Sequence, residues 1–453
     1  MSAVLRIAEP LAMALRRSRW ATSLSLALWL FTSGCGEDDL PVDAGAPDDA
    51  EATGDAEASP DAQLTPDAAR PDGRPATILA DPSLPADTAG IVRVDELEPT
   101  RDPDGDGQVR VAGVDFTYEV FRNESYRCGR TGNHKFMTIQ RTDALDRATD
   151  TWVYLRGGGT GYYVPTGDGP VYVGREALND EPDVEELAGR VVMMGFDGSG
   201  LRDTAIGRRL AEGTRVVAVA YCDHDLYGGT GHPYSDNPVE GATVDGLSAA
   251  IAATSYVRAA HPEGRLWLHG SSAGSVGAYH LSRALAARGV EVAGALLDAG
   301  TFTSLRDAVM GNGCPPYSSV AESELGLNLQ DQVEHILRKV LGDVSPEYLA
   351  AYEAELLEHH LGTEGAAPYF IVQGADDPYC CGGGEFDLLP GASAEGNCRF
   401  VNSVFDPGLA RGTESAASSR VVVVPGAGHV VSGLEEGTFQ DEIEAWIASI
   451  RTE

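Results

Sequence analysis

The chain has 453 residues, 43% of them hydrophobic and 7% aromatic, and carries a formal charge of −36 at neutral pH. A balance this acidic argues against nucleic acid as a partner, and it gives no help in holding a polyanionic substrate. Length alone decides little about the number of domains.

At the N-terminus, Arg16, Arg17 and Arg19 precede an apolar run from Trp20 to Phe31, followed by Thr32, Ser33, Gly34 and Cys35. A run that short reads as a secretory signal and not as a membrane span. Small residues ahead of a cysteine look like a bacterial lipoprotein processing site. Residues 1–35 are therefore expected to be a lipoprotein-type signal peptide, with Cys35 the lipidated first residue of the mature chain. That chain would be anchored in the cell envelope, at the outer membrane or cell surface, or else secreted; a cytoplasmic location is not expected. Residues 36–90 are built mainly from Asp, Ala, Pro, Gly and Glu, with fourteen acidic residues against Arg70 and Arg74. Such a composition has little to bury and predicts a disordered, self-repelling tether. The leader carries +3 and the tether −12 of the total charge, which leaves −27 on residues 91–453.

"RDPDGDGQ", from Arg101, opens like a calcium loop with Asp102, Asp104, Asp106 and Gly107, yet its twelfth position is Gly113, where a bidentate Glu is needed. A turn at the head of the strand pair "QVRVAG" and "VDFTYEVF" is expected instead. Beyond it, apolar strands and helical stretches alternate. The strands are "TWVYL", "RVVAVAY", "RLWLHG", "VAGALLDAG", "PYFIVQG" and "RVVVVPG"; the helices are "VDGLSAAIAATSYVRAA", "GSVGAYHLSRALAARG" and "FQDEIEAWIASI". Continuous apolar strands separated by helices are what a parallel sheet covered on both faces requires. Residues 91–453 are thus expected to form one α/β domain, with a mostly parallel central sheet and helices on both faces. The helical stretch at 307–361 interrupts the alternation and is placed to act as a cap insertion over the carboxyl edge of the sheet.

Six cysteines follow Cys35: Cys128, Cys222, Cys314, Cys380, Cys381 and Cys398. An even number in an exported chain predicts disulfides, in pairings that sequence cannot choose among. There is no CxxC pair and no HExxH helix, so no metal site is expected. "EHH", from Glu358 to His360, reads as the solvated end of a helix.

In "HGSSAG", Gly270, Ser272 and Gly274 fit GxSxG. Between an apolar strand and a helix, this turn holds a serine in a strained conformation with its hydroxyl above the sheet. A serine nucleophile needs a base, and the base needs an orienting carboxylate; on such a sheet they follow in the order Ser, Asp, His at the ends of later strands. "YFIVQGADDPY" offers Asp377, with Asp376 in reserve, and "VVVVPGAGHVV" offers His429. For the oxyanion, "YLRGGGTGYY" ends an early strand in a glycine loop, so backbone N–H groups of Gly159 and Thr160 are candidates together with Ala273 at the helix start. Tyr162, Tyr163, Asp223, His224 and Tyr227 are candidate substrate-pocket residues from the neighbouring loops.

The segments "AYCDHDLYGGTG", "HGSSAGSVG" and "LLDAGTF", with "YLRGGGTG" upstream, resemble those of the pectin acetylesterase and Notum-type carboxylesterase family. The likeness spans roughly Thr151 to His429. It implies an α/β-hydrolase fold, removal of an O-acyl group and no cofactor, with Ser272 as nucleophile, Asp377 as acid, His429 as base, and Gly159, Thr160 and Ala273 around the oxyanion. Thr160 and Gly161 stand where the family has Trp and Cys, and Ser275 where it has a second Gly. Because the body is acidic, an anionic de-esterified pectin is an awkward partner. The expectation is therefore an exported, monomeric serine esterase acting on an acylated carbohydrate or a similar small extracellular ester. Rival readings on the same residues are a polyester (polyhydroxyalkanoate) depolymerase, a feruloyl-type esterase and a peptidase; a rival of another class is a non-catalytic surface-binding lipoprotein.

Overall fold

The structure is a computed structural model, and it describes residues 77–94, 108–111, 113–129, 132–174, 191, 194–196, 200–300, 329–361, 366–374, 418–434 and 438–452. The leader with Cys35, the calcium-like loop at Asp102 to Asp106, and Cys314, Cys380, Cys381 and Cys398 lie outside the described residues. No helix among the described residues is long and apolar enough to cross a membrane.

Four strands open the sheet: β1 (Ile91–Arg93), β2 (Gln108–Val111), β3 (Val114–Cys128) and β4 (Gly132–Arg141). All pair antiparallel, and β2 and β3 form the expected hairpin, turning at Gly113 with φ 83°. Then come β5 (Thr151–Leu155), the hairpin of β6 (Gly161–Thr166) and β7 (Gly169–Gly174), helix α1 (Ala205–Glu212) and β8 (Arg215–Val219). The short pair β9 (His232–Pro233) and β10 (Thr243–Val244) leads into α2 (Gly246–Ala260), followed by β11 (Leu266–Ser271), α3 (Ala273–Ala287) and β12 (Gly294–Asp298). Helices α4 (Leu329–Leu341), α5 (Pro346–Glu353) and α6 (Leu357–His360) precede β13 (Tyr369–Gly374), β14 (Arg420–Val424) and α7 (Thr438–Thr452).

The main sheet runs β1-β3-β4-β8-β5-β11-β12-β13-β14, with β2 beside β3. From β8 onward along that order every pairing is parallel. The chain goes from β5 to β8 on one side and then crosses back over β5 to β11 on the other. That reversal puts a switch point at the carboxyl ends of β5 and β11, where open α/β sheets bind ligands.

Successive strand residues alternate between two cores. Val153, Leu155, Val217, Leu268, Leu297 and Ile371 pack with α2 and α3; Trp152, Tyr154, Val216, Trp267, Leu296 and Phe370 pack with α1 and α7. Both faces are covered, which is why these strands read as unbroken apolar runs. Local signals set the ends of α1: Thr204 accepts the Gly207 N–H at 3.2 Å, and Gly213 closes the helix at φ 86°. A parallel sheet with helices on both faces and a serine elbow after its central strand is the α/β-hydrolase fold.

Three expectations need adjustment. Residues 77–90, read as tether, belong to the folded body: Leu79 is 1% exposed and Ile78 9% exposed in the same core as α2 and α3. The buried Glu355 carboxylate accepts backbone N–H groups from Ile78, Leu79 and Ala80, which clamps this segment beside α5. Second, "RVVVV" is the last strand of the sheet among the described residues, with Val423 43% exposed, so its apolar run does not mark a fully buried strand. Third, the helical insertion is described only over 329–361, and its buried residues, among them Ile336, Val340 and Leu357, are continuous with the core of α2 and α3. From there α4 reaches the carboxyl edge: His335 stacks on Tyr162 of β6 with ring centroids 5.3 Å apart, and His232 Nε2 donates to the Lys339 carbonyl at 2.8 Å.

Candidate active site

Ser272 lies between the end of β11 and the start of α3, with φ 55° and ψ −125°. A non-glycine residue there carries strain on the order of 1–3 kcal/mol, held by its surroundings. The flanking glycines are required by close backbone approach. A Cβ on Gly270 would lie 2.0 Å from the Gly274 carbonyl oxygen, and one on Gly274 would lie 2.1 Å from that of Leu155. The Ser272 N–H donates to the Asp298 carbonyl at 2.7 Å, fastening the elbow to the end of β12. Ala273 is the first residue of α3, where backbone N–H groups have no partner within the helix.

The glycine loop after β5 does reach the serine. A Cβ on Gly157 would stand 2.5 Å from Ser272 Cβ and 3.2 Å from Ser272 Oγ, so only glycine lets the loop come this near. Gly158 passes over the ring of Tyr221, whose hydroxyl donates to the Gly159 carbonyl at 2.6 Å. Gly159 itself has φ 74° and open space where a side chain would be, and Thr160 follows it, partly exposed. Tyr221 was not singled out from sequence; the signal was an aromatic residue at the end of β8, which read as part of a buried strand.

The pocket candidates from the next loop divide. Asp223 is fully engaged inside the protein: its carboxylate accepts from the Gly129 N–H at 2.7 Å, the Asp245 N–H at 3.0 Å and His134 Nε2 at 3.2 Å. Burial works against its charge, but His134, the Lys339 cation and the Asp245 N–H together outweigh it and hold the carboxyl below its ordinary range, while Asp223 in turn raises His134 against burial. Tyr227 is also structural, wholly buried, with its hydroxyl on the Arg156 carbonyl at 3.3 Å and its ring filling the space beside Gly277. These two are therefore corrected from pocket residues to supports. His224 is buried and stacks on Tyr221, with Nδ1 3.3 Å from the Tyr172 hydroxyl; burial, aided by the cations Arg156 and Lys339, lowers its pKa to about 3, so it is neutral. Tyr162 lies under α4, and Tyr163 packs with Tyr172 and Tyr234.

Next to Asp223, Cys128, His134 and Cys222 bring sulfur and nitrogen atoms within 4.8 Å of one another. The two sulfurs are joined as a disulfide, so they offer no thiolate ligands.

His429 is partly exposed in the loop after β14. Val430, next to it, has φ 61°, an unfavourable region for a β-branched residue. Just beyond, the N–H groups of Val431 and Ser432 donate to the Asp298 carboxylate at 3.0 and 2.7 Å. The serine and histidine loops are thus fastened to one residue. Asp376 and Asp377 lie outside the described residues. A serine elbow, a glycine loop against it and a histidine loop beside it are together suited to acyl transfer through a covalent intermediate.

No family model matches the chain, and no curated protein matches it in sequence. Among solved structures it is similar to an S-formylglutathione hydrolase from Agrobacterium tumefaciens, at a TM-score of 0.42 and 13% identity over 76% of this chain and 97% of that one. It is also similar to fungal esterases from Rhizomucor miehei, at 0.40 and 14% over 76% and 85%, and to acetyl xylan esterase 1 from Thermoanaerobacterium sp., at 0.38 and 11% over 80% and 88%. At TM-scores below 0.5 these likenesses lend no weight to an activity or a substrate.

Proposed function

We propose that the protein is a serine esterase of the cell envelope that removes acetyl or another small O-acyl group from a carbohydrate or similar extracellular ester. The observation that carries this reading is Ser272 at φ 55°, raised at the switch point of the sheet with Gly157 pressed against it. In this reading His429 takes the Ser272 proton as the hydroxyl oxygen attacks the ester carbonyl, and Asp377 orients the imidazole. The oxyanion lies against the N–H groups of Ala273 and of the Gly159–Thr160 stretch. His429 returns the proton to the departing alcohol, and water then releases the acyl group by the same path in reverse. The carbohydrate substrate rests on the segments resembling the pectin acetylesterase and Notum-type family. Export and the anchor at Cys35 rest on the leader.

The test is release of p-nitrophenol from p-nitrophenyl acetate, and of acetate from acetylated xylan or pectin, by the purified protein and by Ser272→Ala. Loss of both activities in the variant, by a factor on the order of 10⁴ or more, is the expected result. Activity on the small ester alone would retain the esterase and discard the polymer. No Ser272-dependent release from either would discard the esterase.

A further inference from the structure

Asp298 ends β12, wholly buried, and nothing in the proposed chemistry uses it. It nevertheless touches both halves of the site. Its carbonyl holds the Ser272 N–H at 2.7 Å, and its carboxylate holds the N–H groups of Val431 and Ser432 at 3.0 and 2.7 Å, two and three residues past His429.

The hydrogen bonds behind that carboxylate run in one determinate direction. Trp152 Nε1 can only donate, and it lies 3.3 Å from His269 Nδ1, which must therefore accept. The imidazole proton then sits on Nε2, which donates to Ser432 Oγ at 3.0 Å. Ser432 Oγ accepts that bond, so the Ser432 side chain is tied to His269 and through it to Trp152. Burial lowers the His269 pKa to about 3, so this tautomer persists through neutral pH. Asp298 thus receives the two backbone N–H groups of a loop whose Ser432 side chain is held from the core by His269 and Trp152.

Strain shows why the two loops need this tie. Ser272, Ala299 and Val430 all have positive φ, at 55°, 57° and 61°, and all three lie at or next to the residues that Asp298 ties together. Valine in that region is strongly disfavoured, so the bonds immediately after it must hold the loop.

We infer that Asp298 is a positioning residue for the esterase reaction: its backbone fixes the residue carrying the nucleophile, its carboxylate fixes the loop carrying the base, and it thereby sets the distance between Ser272 and His429. This rests on the reading of Ser272 and His429 as nucleophile and base. An acceptor-only carboxylate is needed because two backbone donors point at it, one to each oxygen. The amide of asparagine would turn its own N–H₂ toward at least one of them.

The test uses the full-length protein, Asp298→Asn and Ser432→Ala, with p-nitrophenyl acetate as substrate at a temperature well below each unfolding midpoint. Reactive Ser272 is counted with a fluorophosphonate, and amide hydrogen exchange is followed at Val431 and Ser432. For Asp298→Asn the expected result is a fall in kcat per labelled site of about 30-fold or more, with KM within about twofold, and faster exchange at both amides. Ser432→Ala, which removes the hydroxyl bonded to His269 and leaves both backbone bonds, should lower kcat by about threefold to tenfold. A kcat per labelled site within about twofold of wild type in Asp298→Asn, despite faster exchange, overturns the inference. If Asp298→Asn does not fold, Asp298→Glu, which displaces the carboxylate by one methylene, is measured in the same way, and a kcat per labelled site within about twofold of wild type there overturns it. Wild-type protein that neither hydrolyses the ester nor takes the label at Ser272 defeats the esterase reading instead, so the two failures are told apart.

Discussion

At the scale of single residues, the site is built from backbone conformations that most side chains avoid. Ser272 and Val430 stand at positive φ, and Gly157, Gly270 and Gly274 occupy places where a Cβ would meet another atom at 2.5 Å or less. The Gly157→Ala variant tests this most directly, since its new methyl would fall 2.5 Å from Ser272 Cβ and 2.6 Å from the Ser271 carbonyl oxygen. Either the loop or the elbow has to move, and a displacement of about 1 Å at a reacting centre lowers kcat by a factor on the order of 10². Steady-state hydrolysis of p-nitrophenyl acetate measures it; an unchanged kcat would mean the loop does not need to lie against the serine. Ser272 was legible in sequence because its constraint is local, a GxSxG between strand and helix. Asp298 was not, because its carboxylate partners lie 133 and 134 residues further along the chain. Asp223 and Tyr227 were misread for the same reason: a polar residue in a loop looks available until its partners are known.

At the scale of elements, composition misled where a few residues decide the outcome. The segment 77–90 shares the Asp, Ala and Pro of the tether, yet Leu79 enters the core and Glu355 gathers three successive N–H groups from Ile78 to Ala80. Protein beginning at Thr77 should therefore be more stable than protein beginning at Ile91 by about 3 kcal/mol or more, from one buried leucine and the bonds to a charged acceptor. Urea unfolding midpoints of the two truncated proteins give the difference, and coincident midpoints would show that the clamp contributes nothing. Strand β14, last in the sheet among the described residues, makes a related point. Its valines resemble those of the central strands, and only its place at the end of the sheet leaves Val423 exposed.

At the scale of the whole molecule, the Cys128–Cys222 disulfide joins the end of β3 to the loop after β8, across 94 residues. Closing a loop of that length restricts the unfolded chain, and reduction should lower the unfolding free energy by about 2–4 kcal/mol. The check is urea unfolding of Cys128→Ser/Cys222→Ser against the oxidised protein; no shift in the midpoint would mean the bridge is energetically idle. By itself the sequence determined the alternation of strands and helices, hence the parallel sheet, and the elbow that raises Ser272, because both follow from patterns within a few tens of residues. The tertiary structure alone decided which cysteine meets Cys222, where the folded body begins, which loop residues are supports, and that one buried aspartate holds the serine and histidine loops together. Each of those depends on partners far apart in the chain, and only folding brings them within the range of a hydrogen bond or a covalent link.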